Sequence, residues 1–432
     1  MKRSNDMSLL FVLFFAIICG VFPSLNAAEV PELKMSPMQK WYARDGMGHV
    51  IEKLEAGGTV RIAYLGGSIT AANGWRPKTT TWFRDTFPKA KIEEINAAIG
   101  GTGSDLGVFR LERDVLQYQP DLLFVEFAVN DGGASPENIW RAMEGIVRQT
   151  WRTDPETDIV FVYTISEALA REPREGNCNR SMAAMEQLAE FYGIPSINFA
   201  VPVLQLEKKG KLIFTGETAP EGVILFSTDS VHPLDAGHVI YADTVAESVT
   251  AMKNITPTNH AVMLENTWTT DHWAAAKLVP ITPAMLEGTW QRLDENDPLQ
   301  KSFGNRLGEI WQSDTPGSKL TFRFKGTQAK IYDLLGPNGG QVTITVDSQT
   351  RDVPVPRFDS YCTYHRLATL WLAGDLDPDQ VHTITVEIHP DQPSRQPVAF
   401  RLADPEKELA EPKYQGTNVW FGQLMLLGDL MD

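Results

Sequence analysis

Three short apolar runs constrain the chain more than any other feature: residues 60–65 (VRIAYL), 121–127 (DLLFVEF) and 158–165 (DIVFVYTI). Each is nearly continuous in apolar residues and too short for a buried helix. Such runs predict strands covered on both faces. Further strand-like runs lie at 91–95 and 194–198. Helical periodicity fills the spaces between and after them, over 77–87, 106–118, 136–152, 180–192 and 235–253. Ahead of the first run, Ser36-Pro37 opens an apolar-periodic stretch that reaches Leu54 and is followed by Gly57-Gly58, the start and stop signals of a helix. Alternating strands and helices predict a parallel sheet with helices on both faces, a three-layer α/β/α arrangement.

The texture changes after about residue 255. Short alternating strands are predicted at 320–324, 329–334, 341–346 and 382–388, separated by turns such as Pro337-Asn338-Gly339-Gly340. Strands without intervening helices predict a β-sandwich. The layout read from the sequence is an α/β domain at 30–255, a connector or first strand at 256–279, and a β-sandwich at 280–432. The connector holds Pro257, Trp268 and Trp273. A chain of 432 residues that is 43% hydrophobic can build two such cores without disulfides. Cys178 and Cys362 could form one bridge, but two cysteines make no framework and read rather as free, mostly buried thiols.

The first 28 residues have a different character. Lys2 and Arg3 precede an apolar run over 9–22, then Pro23 and small residues at Ala27 and Ala28. This is the pattern of a cleaved secretory signal, and the run is short for a membrane span. The expectation is an exported protein, periplasmic or extracellular, with no stable membrane insertion after cleavage. The chain's net charge is -16; residues 1–28 hold Lys2, Arg3 and Asp6, a net +1, so their removal leaves -17. So acidic a surface repels phosphate backbones and argues against a nucleic-acid partner.

Polar residues gather just past the carboxyl ends of the predicted strands, where open parallel sheets bind ligands. After the first strand comes Gly66-Gly67-Ser68-Ile69-Thr70. A Ser on a glycine turn can present its hydroxyl as a nucleophile, cap the next helix, or belong to a phosphate cradle. After the second strand, residues 96–104 (NAAIGGTGS) form a Gly-rich loop whose backbone N–H groups can approach a reacting oxygen. After the third come Asn130 and Asp131, where Asn130 can donate its side-chain amide to an oxyanion, or the pair can simply form an Asx turn. Before the last helix, Asp229 and His232 stand three apart, a carboxylate able to orient a general base. His232 is one of eight histidines, and a metal set of Asp229, His232, Asp235 and His238 lacks the compact spacing of zinc motifs.

In this order the four blocks resemble the SGNH hydrolase superfamily, the GDSL esterases. The matching residues are Ser68, Gly101, Asn130, and Asp229 with His232, and the resemblance covers roughly 58–255. Two blocks depart from the pattern. Gly67 stands where the family usually has Asp, which removes a side chain expected to brace the turn, and Ala128 stands for Gly. In the second block Gly101 is preferred over Gly100 for its spacing from Asn96.

The resemblance implies a flavodoxin-like fold and a Ser68–His232–Asp229 triad. It implies an oxyanion hole from the N–H groups of Ser68 and Gly101 and the amide of Asn130, with no metal and no organic cofactor. Expected export, an accessory β-domain and a GGSIT turn similar to that of bacterial carbohydrate esterases point to an acetylated glycan as substrate. A lipid or thioester acylhydrolase, and a non-catalytic glycan-binding protein, are the competing readings. Trp75 and Arg76 are candidates to line the site, and the polar loop 171–180 could reach over it. In the β-domain, Trp290, Trp311, Trp371 and Trp420 are candidate sugar platforms or core residues. Segment 358–365 is its most polar-aromatic stretch.

Overall fold

The computed structural model describes residues 31–431. The expected signal segment lies outside them. Among the described residues no helix is long and apolar enough to cross a membrane. Residues from Glu32 onward form one compact unit.

The first half is built on a six-stranded sheet. Its strands are β1 (Trp41–Tyr42), β2 (Thr59–Gly66), β3 (Lys91–Asn96), β4 (Leu122–Glu126), β5 (Asp158–Tyr163) and β6 (Ser196–Asn198), in the spatial order β1-β6-β5-β4-β2-β3. All pairings are parallel except β1 with β6. The parallel strands have the flavodoxin-like order, and the chain switches direction between β2 and β4. Every residue of β4 and β5 is buried, as their apolar composition requires. Helices Ser104–Asp114, Pro136–Thr153 and Arg180–Phe191 pack as one set, and Trp75–Thr86 packs with Asp235–Met252 as another. Pro136–Thr153 shows the start signal directly: Ser135 accepts the N–H of Asn138, and Pro136 occupies the first turn.

The expected helix from residue 36 to 54 is much shorter, Gly48–Ala56. Gly46 takes φ +71°, which ends any helical run before it, and Trp41–Tyr42 instead zips onto the sheet edge as β1. The stop signal holds, since Gly57 is left-handed with φ +83°. A helix over Ala200–Lys208 and a parallel two-stranded ribbon, β7 (Leu212–Thr215) with β8 (Ile224–Ser227), were not anticipated.

The second half is a separate, all-antiparallel sheet whose first strand is Ala276–Pro280. The predicted strands 320–324 and 329–334 are one strand, Lys319–Leu335. Between them, Gly326 faces Gly428 across the ladder, and a β-carbon on it would lie 2.1 Å from the Leu427 carbonyl. Two bare backbones therefore meet there, and the strand bends through bulges instead of ending. Its first part pairs with Val381–Ile388 and its second with Arg366–Ala373, while Val419–Met431 runs along its other edge. Their inward side chains share one core, as in a sandwich. Tyr332, Leu334, Trp420, Met425 and Leu427 turn the other way and join the apolar core of the α/β half.

Candidate active site

Four strand ends and one ribbon converge at the carboxyl edge of the parallel sheet. β2 ends at Gly66, and the chain turns through Gly67 into a single helical turn, Ser68–Ala71. Both glycines are required by space. A β-carbon at Gly66 would sit 2.8 Å from the Glu126 carbonyl oxygen, and one at Gly67 would sit 1.9 Å from Asn130 Oδ1.

The ribbon strand β8 delivers the acid–base pair. Ser227, its last residue, donates its hydroxyl to Asp229 Oδ1 at 3.0 Å. The same oxygen accepts the N–H groups of Val231 at 2.9 Å and His232 at 2.7 Å. Ser230 takes φ +71°, and its carbonyl accepts the N–H of Glu167 from the loop after β5. The other oxygen, Asp229 Oδ2, lies 2.7 Å from His232 Nδ1, and His232 Nε2 lies 2.7 Å from Ser68 Oγ. The His232 N–H and imidazole, then the lesser donors, hold the Asp229 carboxyl well below the usual carboxylate range. The imidazole therefore has an ionised acceptor on one nitrogen and a hydroxyl on the other.

Gly100 lies beside Ser68, since a β-carbon on it would be 3.5 Å from Ser68 Cβ. Gly101 is left-handed, φ +74°. Among the described residues, the backbone N–H groups of Ser68 and Gly101 and the side-chain amide of Asn130 donate no hydrogen bond. The structure thus brings Ser68, His232 and Asp229 into one chain of hydrogen bonds and sets Gly101 and Asn130 beside it.

Trp75 and Arg76 do not line this site. Trp75 has no exposed surface, and its ring packs edge-on against Tyr64, Phe124 and Phe199. Arg76 is buried too, bonded to the Thr70 carbonyl and paired with Glu94 on β3. The metal set around His232 dissolves as well. Asp235 pairs with Lys78, and His238 Nδ1 accepts the N–H of Trp75 at 3.2 Å. Burial pushes His238 down to about 4, so it stays neutral as an acceptor. In loop 171–180, Arg174 is occupied by Glu167 and Glu207. Cys178 and Cys362 are buried free thiols.

Two carboxyls near the site are buried, which the sequence reading did not anticipate. Glu126, at the end of β4, accepts the hydroxyls of Thr70 at 2.8 Å and Thr164 at 2.6 Å, and burial raises its pKa. The signal for it was a lone acid inside the apolar run DLLFVEF. Asp131 accepts the N–H of Ser104 at 3.0 Å, and burial pushes it up to about 7.

The antiparallel half closes over both sides of the Gly100–Gly103 loop. One cavity of about 540 Å³ runs from Gly101 and Asn130 to Gln328, Lys330 and Trp371. Trp371 is 47% exposed, whereas Trp420 is buried. The Lys330 ammonium lies between the rings of Phe109, Trp273 and Trp371, 5.3–5.6 Å from each centroid. A second cavity meets Gly100–Thr102 from segment 358–365, at Tyr361, Tyr364 and His365.

Residues 64–240 match the model of the GDSL-like lipase/acylhydrolase family. The α/β half is a GDSL-like acylhydrolase domain. That domain is a carboxylic ester hydrolase domain. No curated protein matches it. Among solved structures it is similar to a two-domain esterase (CEX) active on acetylated mannans, co-crystallised with mannopentaose. The identity is 20%, the TM-score 0.67, and the match covers 87% of this chain and 92% of that one. A second structure of CEX gives 19% identity, the same TM-score, and 87% and 93% coverage. An acetylxylan esterase variant, Axe2 from Geobacillus stearothermophilus, aligns at 17% identity and TM-score 0.36 over 44% of this chain and 94% of its own. At such identities the CEX likeness speaks for the fold, here of the acylhydrolase domain and the antiparallel half together.

Proposed function

We propose that this acylhydrolase is an exported serine esterase that removes acetyl groups from a polysaccharide or oligosaccharide. The observation that carries the reading is the unbroken relay Ser68 Oγ–His232 Nε2 and His232 Nδ1–Asp229 Oδ2, both at 2.7 Å, next to the Gly101 loop and Asn130, which line a cleft. Ser68 attacks the acetyl carbonyl while His232 takes its proton, and Asp229 holds the ring in the tautomer this needs. The oxyanion that forms lies against the N–H groups of Ser68 and Gly101 and the Asn130 amide. Each such donor is typically worth about 3–4 kcal/mol in the transition state. His232 returns the proton to the departing sugar oxygen, leaving acetyl-Ser68. Water, deprotonated by His232, then releases acetate and restores Ser68.

The glycan is favoured by the cleft's far wall. A half-exposed Trp371 beside the Lys330 cation offers a flat apolar face with polar neighbours, suited to a sugar ring. The mannan activity of CEX belongs to that protein, and its shared two-part architecture makes acetylated mannan the first substrate to try. Export rests on the charged, apolar and small-residue pattern of residues 1–28.

The test is acetate release from a panel of acetylated polysaccharides, wild type beside Ser68→Ala. Release by the wild type, with a loss of about 10⁴-fold or more in the folded variant, is expected. Cleavage of small acetyl esters without release from any glycan would remove the glycan assignment. A folded Ser68→Ala enzyme with full activity would remove the triad.

A further inference from the structure

At the opposite end of the sheet from Ser68, three residues from distant parts of the chain meet. His49 lies in the first turn of the helix Gly48–Ala56, Asp158 opens β5, and His260 opens the short helix His260–Met263. One donor atom from each lies within 4.8 Å of the other two. We propose that His49, Asp158 and His260 bind one divalent transition-metal ion of the zinc class.

The hydrogen bonds around the cluster leave one lone pair free on each imidazole. His260 Nδ1 is 2.9 Å from the Pro155 carbonyl, and His49 Nε2 is 2.8 Å from the Thr258 carbonyl. A carbonyl only accepts, so these nitrogens carry the protons. The lone pairs are left on His260 Nε2 and His49 Nδ1, and among the described residues neither nitrogen has a hydrogen-bond partner. A histidine whose second nitrogen is tied to a backbone carbonyl is the usual arrangement of a metal ligand. His260 Nε2 points at Asp158 Oδ1, 3.9 Å away, which is too long for a hydrogen bond.

Asp158 has an ordinary duty as well: its Oδ2 accepts the Val50 N–H at 2.8 Å, and the carboxylate also accepts the His49 N–H, which caps the first helix. That duty accounts for backbone N–H groups only. It does not account for two imidazoles held toward a carboxylate that is 1% exposed. The rings are also fixed by packing, since His260 stacks on Trp151 at 4.6 Å and meets His49 edge-on at 5.5 Å. Two imidazoles and a carboxylate suit zinc, cobalt, nickel or ferrous ions better than calcium or magnesium, which take oxygen ligands. Ligands at about 2.0–2.1 Å from one ion stand roughly 3.3 Å apart, so binding draws the three groups together slightly. The ion would clamp the segment that leads to the antiparallel half onto the acylhydrolase sheet. It takes no part in ester chemistry. The sequence shows no sign of it, because the ligands have no local spacing.

The experiment uses the purified chain, stripped with EDTA and dialysed, then titrated with Co²⁺ and with Zn²⁺. Cobalt absorption bands, elemental analysis and thermal melting are the readouts. Wild type should take up one equivalent, and a hundredfold excess of Zn²⁺ over its Kd should raise Tm by about 3 °C or more. Esterase activity should be the same with and without EDTA. His49→Gln keeps a donor for the Thr258 carbonyl, so its metal-free Tm should match wild type while its affinity falls at least about tenfold. His260→Asn should behave likewise; if it fails to fold, His49→Gln decides. No uptake by wild type, or wild-type affinity in His49→Gln, would overturn the site.

Discussion

Asn130 Oδ1 stands 1.9 Å from the point a β-carbon on Gly67 would occupy. The residue before the nucleophile and the amide proposed for the oxyanion therefore share one small volume. The glycine that departs from the usual family pattern is not simply a lost brace. The space above it is filled by Asn130, from the turn after β4, instead of by its own side chain.

This relationship makes Gly67→Ala a test of Asn130. Gly67 has φ −90°, a backbone open to alanine, so the cost is steric contact alone. Displacing the amide should lower kcat about 10²–10³-fold, as removing an oxyanion donor does. Asn130→Ala should cost a similar amount. The double variant should be no slower than Asn130→Ala, whereas multiplied losses would show that the two residues act separately.

Trp371→Ala separates the cleft wall from the chemistry. Its kcat/KM on an acetylated polysaccharide should fall about tenfold, the scale of one aromatic contact. Hydrolysis of a small acetyl ester should be unchanged, because Trp371 lines the cleft but has no part in the Ser68–His232–Asp229 relay. Equal losses on both substrates would place the tryptophan's effect in the fold.

Asp131 predicts a pH dependence of stability. Its carboxyl is raised from 3.8 to about 7 by burial. A raised folded pKa gives stability that is full below about pH 4 and is lost as pH rises through about 7. Asp131→Asn lacks that loss. Its Tm should rise relative to wild type between pH 4 and pH 8, with a difference of at most about 4 kcal/mol at the upper end. A Tm difference that stays flat across this range would contradict the assignment.

Much of the site was legible because each block is local. Asp229 and His232 are three apart, and Ser68 and Asn130 follow runs whose composition marks them as buried strands. What stayed hidden depended on distant partners. Arg76 looks free in the sequence, but Glu94 waits on the next strand. The buried face of the helix Trp75–Thr86 takes in Trp75 and Arg76 alike, so helical spacing alone could not tell a core tryptophan from a site tryptophan. The cleft wall from Lys330 and Trp371 depends on the register of a bulged strand, and a one-residue slip would turn both side chains away. The boundary at Gly46 failed for a different reason: a stop in the middle of an apolar-periodic stretch needs only one left-handed glycine.

The turn from Asp229 to His232 carries its own fastening, because the carboxylate is held by the N–H groups of Val231 and of His232 itself. Acid and base therefore arrive as a prefabricated unit, and assembling the site is a problem of two bodies, not three. Any breathing of this loop opens a single gap, between Nε2 and Ser68 Oγ, and leaves the dyad whole. Activity would then track the closure of that gap, so the loop's anchor at the Glu167 N–H becomes a place where the enzyme could be slowed without touching any reacting group.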